Sequence, residues 1–279
     1  IAGTVEGLCA AAAHELPEDV LRAIEQAAGK ESDPTARDIL KQLIENARSA
    51  ADERIPLCQD TGLTVVFADQ GVGTTVIDAE TGEPALLDDA INAGVASGYE
   101  NGYLRKSIVA EPLHERLNTG TNTPAVLHHR FAWGDRLRLT VMLKGGGCEN
   151  KSQFRMFKPT AEAGEVVAWV VEVVRQAGAD ACPPFVVGVG IGGDFESSCL
   201  LSKRALLREI GRPHGEGFYA ELERQMLSQI NQLGVGPQGF GGDTTALGVA
   251  VETAPCHIAS LPVAVNIECH SHRHKSAVL

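Results

Sequence analysis

The sequence predicts an α/β fold, with parallel or mixed β-sheets surrounded by helices and a helical N-terminal segment. Three observations carry this expectation. The opening stretch of roughly 55 residues has helical periodicity, short β-branched segments then alternate with longer amphipathic ones, and glycine-rich connections follow the strands. At 279 residues the chain can bury a substantial core. No linker-like stretch or internal repeat interrupts it, so it reads as a single domain over 1–279 with a helical lead-in over 1–55.

Taken in order, Pro17-Glu18-Asp19 opens an early helix, and Asp33 before Pro34 reads as an N-cap with proline at the first helical position. Ile39, Leu40, Leu43, Ile44 and Ala47 then share one apolar face. Leu63 to Phe67 is short and β-branched, as a buried strand would be. Asp88 to Gly102 reads as a helix leading to the cationic pair Arg105 and Lys106. Leu137 to Leu143 alternates as a strand and runs into Lys144-Gly-Gly-Gly-Cys148. Thr160 to Gly178 is a helix with Val166, Val167, Val170, Val174 and Ala177 on its apolar stripe. Phe185 to Ile191 is a buried strand, followed by helices from Asp194 to Ile210 and from Glu216 to Leu233. A strand from Thr245 to Val251 and the apolar run Ile258 to Ile267 complete the series.

Acidic residues outnumber basic ones by 36 to 24, a net charge of −12, which argues against nucleic acid or an anionic membrane as the main partner. A small anion held by local cations stays open. No apolar run approaches the ~20 residues of a membrane span, and no signal segment is seen, so a cytoplasmic location is expected. The chain begins at Ile1, and residues are expected to have preceded it.

The connections carry the chemistry. Ile55-Pro-Leu-Cys-Gln-Asp-Thr-Gly62 packs a thiol, an amide, a carboxylate and a hydroxyl between a proline and a turn glycine. Asn118-Thr-Gly-Thr-Asn122 is crowded with hydroxyls and amides suited to a small anion, with Thr119 among them. Lys144 to Gly147 lets backbone approach a ligand closely beside flanking lysines, without the spacing of a Walker A loop. Gly188 to Gly193 satisfies G-x-G-x-x-G and raises a dinucleotide-dependent oxidoreductase as an alternative. Its first two glycines fall inside the predicted strand, and no acid-ended strand follows, so that reading ranks lower.

Seven cysteines at wide, irregular spacing, with no C-x-x-C, are neither a disulfide framework nor a zinc ribbon. Cys9 lies in an alanine-rich run as a small hydrophobe, and Cys199 falls inside a predicted helix. Three others stand apart: Cys58 in the proline-glycine turn, Cys182 before Pro183-Pro184, and Cys269 just after a buried run. Three soft thiolates from distant loops suit an iron-sulfur cluster better than zinc. Such a cluster leaves one iron open as a Lewis acid toward a small hydroxy acid. The run Cys269-His-Ser-His-Arg-His-Lys275 reads as an adventitious metal binder or an appended tail, not a dedicated site.

Pro56 to Gly62, Asn118 to Asn122, Lys144 to Gly147, Cys182-Pro-Pro184 with Ile191-Gly-Gly193, and His257 twelve residues before Cys269 together resemble the iron-sulfur class I fumarases and the related tartrate dehydratases. The resemblance covers almost the whole chain and implies the N-terminal-domain type of that fold. It implies a [4Fe-4S] cluster on Cys58, Cys182 and Cys269, with Cys148 a bystander near the pocket. It places Gln59, Arg105, Gly146 and Thr119 at the substrate, and Asp60 and His257 as proton carriers. The reaction implied is reversible hydration of fumarate to malate, with tartrate dehydratase or a mesaconate-type hydratase as alternatives. Unlike longer single-chain members, this chain stops ten residues past Cys269. It therefore resembles an α subunit whose β subunit completes the site around a small dicarboxylate, assembled as a dimer of α-β pairs. A non-catalytic assembly subunit is the remaining alternative.

Overall fold

The computed structural model describes all 279 residues, Ile1–Leu279. In chain order the elements are α1 (Ala2–His14), α2 (Glu18–Lys30), α3 (Pro34–Glu53), β1 (Leu63–Gly71), α4 (Leu87–Asn101), β2 (Val126–Ala132), β3 (Leu137–Lys144) and α5 (Gly146–Glu149). There follow β4 (Gln153–Phe157), α6 (Ala163–Ala177), β5 (Phe185–Gly192), α7 (Phe195–Ala205), α8 (Gly217–Asn231), β6 (Ala246–Ala254), β7 (Leu261–Glu268) and β8 (Arg273–Val278). They form two compact units, one of residues 1–17, 47–146 and 273–279, the other of residues 18–46 and 147–272. No helix is long and apolar enough to cross a membrane.

The first unit holds a four-stranded sheet in the order β2-β1-β3-β8, in which only β1 and β2 run parallel. β1 and β3 are apolar along most of their length because both faces are covered, and Val66, Ala68, Leu139 and Val141 are fully buried. α1 packs on α4 and on β3 and β8. The helix pair closes on small residues: a Cβ at Gly94 would run into the Ala2 carbonyl, and one at Gly98 would sit 2.9 Å from the Cys9 Cβ. Cys9 is indeed a buried core residue, and burial pushes its thiol up to about 12.

β8 corrects one expectation. The His-rich run is no appended tail: from Arg273 it is an edge strand of this sheet, registered on β3 from Leu143↔Arg273 to Arg138↔Val278. Its start on three consecutive basic residues, Arg273 to Lys275, conceals a strand whose first residue, Arg273, is fully buried.

The second unit holds the sheet β4-β7-β5-β6, again with one parallel pair, β5 and β6. The valine stripe of α6 is buried as its spacing requires, each side chain contributing about 1.5–3 kcal/mol of transfer free energy. α7 lies against β5, β6 and β7, while α6 and α8 pack on one another. Gly188 and Gly190 belong to β5, and a Cβ on either would collide with backbone of α7, at the Ser202 and Ser198 carbonyls. The G-x-G pattern therefore serves strand-helix packing and not a phosphate turn. α7 is capped by Asp194, whose side chain accepts the Ser197 N–H at 2.8 Å. It ends at Ala205, short of the expected Ile210, and the Arg208 guanidinium beyond it donates to the Val251 carbonyl at 3.1 Å.

Candidate active site

In the first unit the Pro56 to Gly62 turn connects α3 to β1. Its entry is fixed by the buried Leu57, whose N–H donates to the Ala13 carbonyl at 2.9 Å. Cys58 follows half-buried, its Sγ 3.6 Å from Gln59 Oε1, and Gln59 is exposed. Asp60 is committed on both oxygens: Oδ1 accepts the Gly62 N–H and Oδ2 the Gly146 N–H, each at 2.9 Å. A carboxylate suits this double acceptance because it presents lone pairs and no proton. Gly62 has φ +73, and a Cβ there would lie 2.6 Å from the Lys144 carbonyl carbon, so only glycine fits the crossing.

Buried polar side chains brace this turn. The Tyr99 hydroxyl donates to the Thr61 carbonyl at 2.8 Å and reaches the Gly62 carbonyl at 3.1 Å. Burial raises its phenol above the ordinary range, so it remains a donor. Asn122, fully buried, donates to the Gly62 carbonyl at 3.2 Å and accepts the Ser107 N–H at 2.7 Å. The Thr61 hydroxyl donates to the Arg105 carbonyl at 2.8 Å. The Thr119 N–H donates to the Ile108 carbonyl at 2.8 Å, so the 118–122 loop is fastened to the 105–108 segment. The result is a rigid backbone from which the Arg105 side chain projects, exposed.

In the second unit, Cys182 follows a short 3₁₀ turn in the left-handed region, φ +55, and is exposed. Its carbonyl accepts the His270 N–H at 3.3 Å, which brings the Cys182 turn alongside the segment carrying Cys269. Gln238 holds the following residue, with its N–H and Nε2 both 2.8 Å from the Pro183 carbonyl. Cys269 directly follows β7, where Glu268 is in register with Val186 of β5. Two of the three expected cluster thiols thus share one end of this sheet. Beside them, Cys148 Sγ lies 3.3 Å and Cys269 Sγ 3.9 Å from Glu268 Oε1, and this buried group is able to hold a metal.

His257 does not join them. β6 ends at Ala254 opposite Gly192, and the Gly193 N–H donates to the Pro255 carbonyl at 3.2 Å, so the His257 loop lies beyond the other end of β5. The register from Val186 to Ile191 alone spans roughly 17 Å at strand rise. His257 is exposed there, its Nδ1 accepting the Ala259 N–H at 3.1 Å.

The fumarate hydratase (fumerase) family model matches residues 2–278. The chain belongs to that family. A Methanocaldococcus jannaschii protein, provisionally named L(+)-tartrate dehydratase subunit alpha, is 38% identical over 276 residues, covering 98% of this chain and 95% of its own. The L(+)-tartrate dehydratase subunits alpha of Escherichia coli strains UTI89 and K12 are each 32% identical over 262 residues, covering 92% of this chain and 84% of theirs. Family membership makes this chain a hydro-lyase of the alpha type.

Within this fumarate hydratase family member, the sequence singles out the three thiols, Asp60, Gly146 and Arg105 as candidates but not the residues that hold their segments. Tyr99 read only as part of a helix. Asn122 stood in the hydroxyl-rich loop with no sign that it would be fully buried in a positive-φ conformation, φ 60. Gln238 sits in the glycine-rich run Gly234 to Gly242, whose composition suggests flexibility, yet Gly236, Gly241 and Asp243 are also bonded, to Thr245, Val235 and the buried Glu31. For Gln238 the available signal was its being the one polar side chain in the run Gly234 to Gly242.

Proposed function

We propose that this chain is the cluster-carrying α subunit of a two-subunit iron-sulfur hydro-lyase that reversibly hydrates fumarate to malate. The observation that carries the reading is the placing of Cys182 and Cys269 at one sheet end, with Cys182 in an exposed turn. Cys58, a half-buried thiol in a turn without helix or strand constraint, is the third donor of the same soft chemistry. Such a donor set fits a [4Fe-4S] cluster. When bound, the cluster supplies a Lewis-acidic iron for the hydroxyl and one carboxylate of the substrate.

This chain's own residues then orient and exchange protons. Arg105 takes a substrate carboxylate bidentately from its fixed backbone, and Gln59 and the Thr119 hydroxyl donate to the remaining oxygens. Asp60, held by Gly62 and Gly146, positions the turn and carries negative charge at the site, and Gly146 allows the backbone to approach. His257, at the far end of β5 from the thiols of its own chain, serves as a proton carrier for a second copy in a dimer of α-β pairs. The exposed apolar side chains of the first unit, among them Phe131 and Trp133 at the end of edge strand β2, support burial against a partner chain. A β subunit supplies the rest of the pocket, in the cytoplasm.

A second reading, dehydration of L(+)-tartrate, is favoured by the names of the relatives. One experiment separates the two. The α chain is reconstituted anaerobically with its β partner and assayed on fumarate, tartrate and mesaconate side by side. The proposal requires the highest kcat/KM on fumarate. A tartrate preference replaces it with the second reading, and full turnover by the α chain alone refutes the shared site.

A further inference from the structure

Arg273 is the bulkiest fully buried side chain of the protein, at 1% exposure, and neither its Nε nor its Nη1 has a hydrogen-bond partner. It opens β8 directly opposite Leu143, so its side chain enters the layer where Leu143 packs with Val5, Cys9 and Tyr99 of the covering helices α1 and α4. Its charge reaches the Tyr99 hydroxyl. Burial raises that phenol, while Arg273 lowers it and Asp60 raises it further. Both charges therefore lie near the group that holds the Thr61 and Gly62 carbonyls.

Arginine is a poor choice here for the fold alone. A guanidinium taken out of water without its hydrogen bonds is costly, and an apolar side chain of similar volume in its place is commonly neutral or stabilising. Asp60 does not offset the charge by pairing with it, because its two oxygens accept the Gly62 and Gly146 N–H groups and the guanidinium atoms stay unpartnered. What the charge does supply is a positive potential beneath the turn. In a chain of net charge −12, a small dianion otherwise meets repulsion. At an effective dielectric of about 20, one cation about 10 Å from a dianion strengthens binding roughly tenfold or more, and burial protects that attraction from screening by salt.

We propose that Arg273 is a positioning residue for dicarboxylate binding, a buried cation that holds the 58–62 turn at positive potential from within the sheet-helix layer. The proposal rests on the reading that this turn and Arg105 face the substrate. Arg105 engages a carboxylate by contact, whereas Arg273 acts by charge from behind the turn. Its role therefore depends on carrying a cation and not on the fork of the guanidinium.

The test uses the reconstituted two-chain enzyme and two non-reacting anions, succinate and its monoamide succinamate, titrated by calorimetry. Arg273→Met is expected to weaken succinate binding roughly tenfold or more, and succinamate binding by about the square root of that factor, because the effect follows ligand charge. Arg273→Lys recovers most of the succinate affinity at about pH 6.5 and loses it as pH rises, since a buried ammonium deprotonates more readily than a guanidinium. Ligand-free Arg273→Met melts no lower than wild type. A strongly lowered melting temperature would overturn the proposal, because Arg273 would then fasten the fold. So would equal losses for the two anions, or no recovery in Arg273→Lys at any pH. Succinate binding weakened by Arg105→Met but not by Arg273→Met removes this proposal alone, whereas no saturable binding by wild type removes the substrate-site reading along with it.

Discussion

The Asp60 carboxylate accepts the Gly146 N–H through Oδ2 at 2.9 Å while its other oxygen accepts the Gly62 N–H at the same distance. One side chain thereby couples the turn before β1 to the glycine run after β3. Replacing it by asparagine keeps one acceptor and turns the other into an NH₂ group that faces a backbone N–H. Asp60→Asn is therefore expected to destabilise the chain by about 1–3 kcal/mol, the range for an unsatisfied buried donor. Asp60→Glu would not rescue it, since the extra methylene displaces both oxygens. Urea unfolding of the three proteins measures this, and an unchanged midpoint for Asp60→Asn would show that the two bonds contribute nothing net.

A second prediction concerns alkaline pH. Burial first, with Glu6 adding to it and Thr64 opposing, holds the Cys9 thiol at about 12 against its ordinary 9.0. A group whose folded pKa is raised contributes stability in full below its unfolded pKa and loses it as pH rises toward the folded value. Wild type should thus lose stability progressively above pH 9, and Cys9→Ala should show a flatter limb there. Urea midpoints at about pH 8 and about pH 10.5 make the comparison. Parallel slopes would place the alkaline loss elsewhere.

The elements that the sequence revealed are those whose side chains repeat with one period. The α6 valines fall on one face, Asp33 accepts the Ala36 N–H at 2.8 Å as an N-cap should, and β5 is apolar throughout because both faces are covered. β8 was illegible because an edge strand starting with a buried arginine has no apolar period. Candidate site residues could be picked from the sequence by residue type, but their placement could not. His257 stands twelve residues before Cys269, which invites grouping them, but β7 runs between them and carries the chain from one end of the sheet to the other. Asp60 announces an acceptor, yet nothing in its neighbours announces that Gly146, 86 positions away, is the donor.

The third prediction separates packing from ligand binding in the glycine segment of β5. A Cβ at Gly190 would collide with the Ser198 carbonyl and lie 2.6 Å from the Ser202 nitrogen, both backbone atoms of α7 that side-chain rotation cannot relieve. Gly190→Ala is expected to drive α7 off the sheet and give insoluble or strongly destabilised protein, as overpacking of a close helix-strand contact does. Wild type should show no saturable binding of either nicotinamide dinucleotide by calorimetry. Stable Gly190→Ala protein, or saturable dinucleotide binding lost in that variant, would return the segment to the phosphate-loop reading.

Arg105 provides the sharpest test of the substrate site, because its backbone and side chain have separate duties. The carbonyl is held by the Thr61 hydroxyl at 2.8 Å, which any residue at this position preserves, while the exposed guanidinium is free to act on a ligand. Substitution should therefore spare the fold and strike binding. Charged hydrogen bonds contribute about 1.5–3 kcal/mol, so Arg105→Met in the reconstituted two-chain enzyme is expected to raise KM for a dicarboxylate roughly 10- to 100-fold. Arg105→Lys should recover only part, since an ammonium cannot bind a carboxylate through two parallel N–H groups. Melting temperatures should stay within a degree or so of wild type, as expected for a surface side chain. A KM unchanged in both variants would remove Arg105 from the site, and an unfolded Arg105→Met would mean that the side chain, not the carbonyl, fastens the segment.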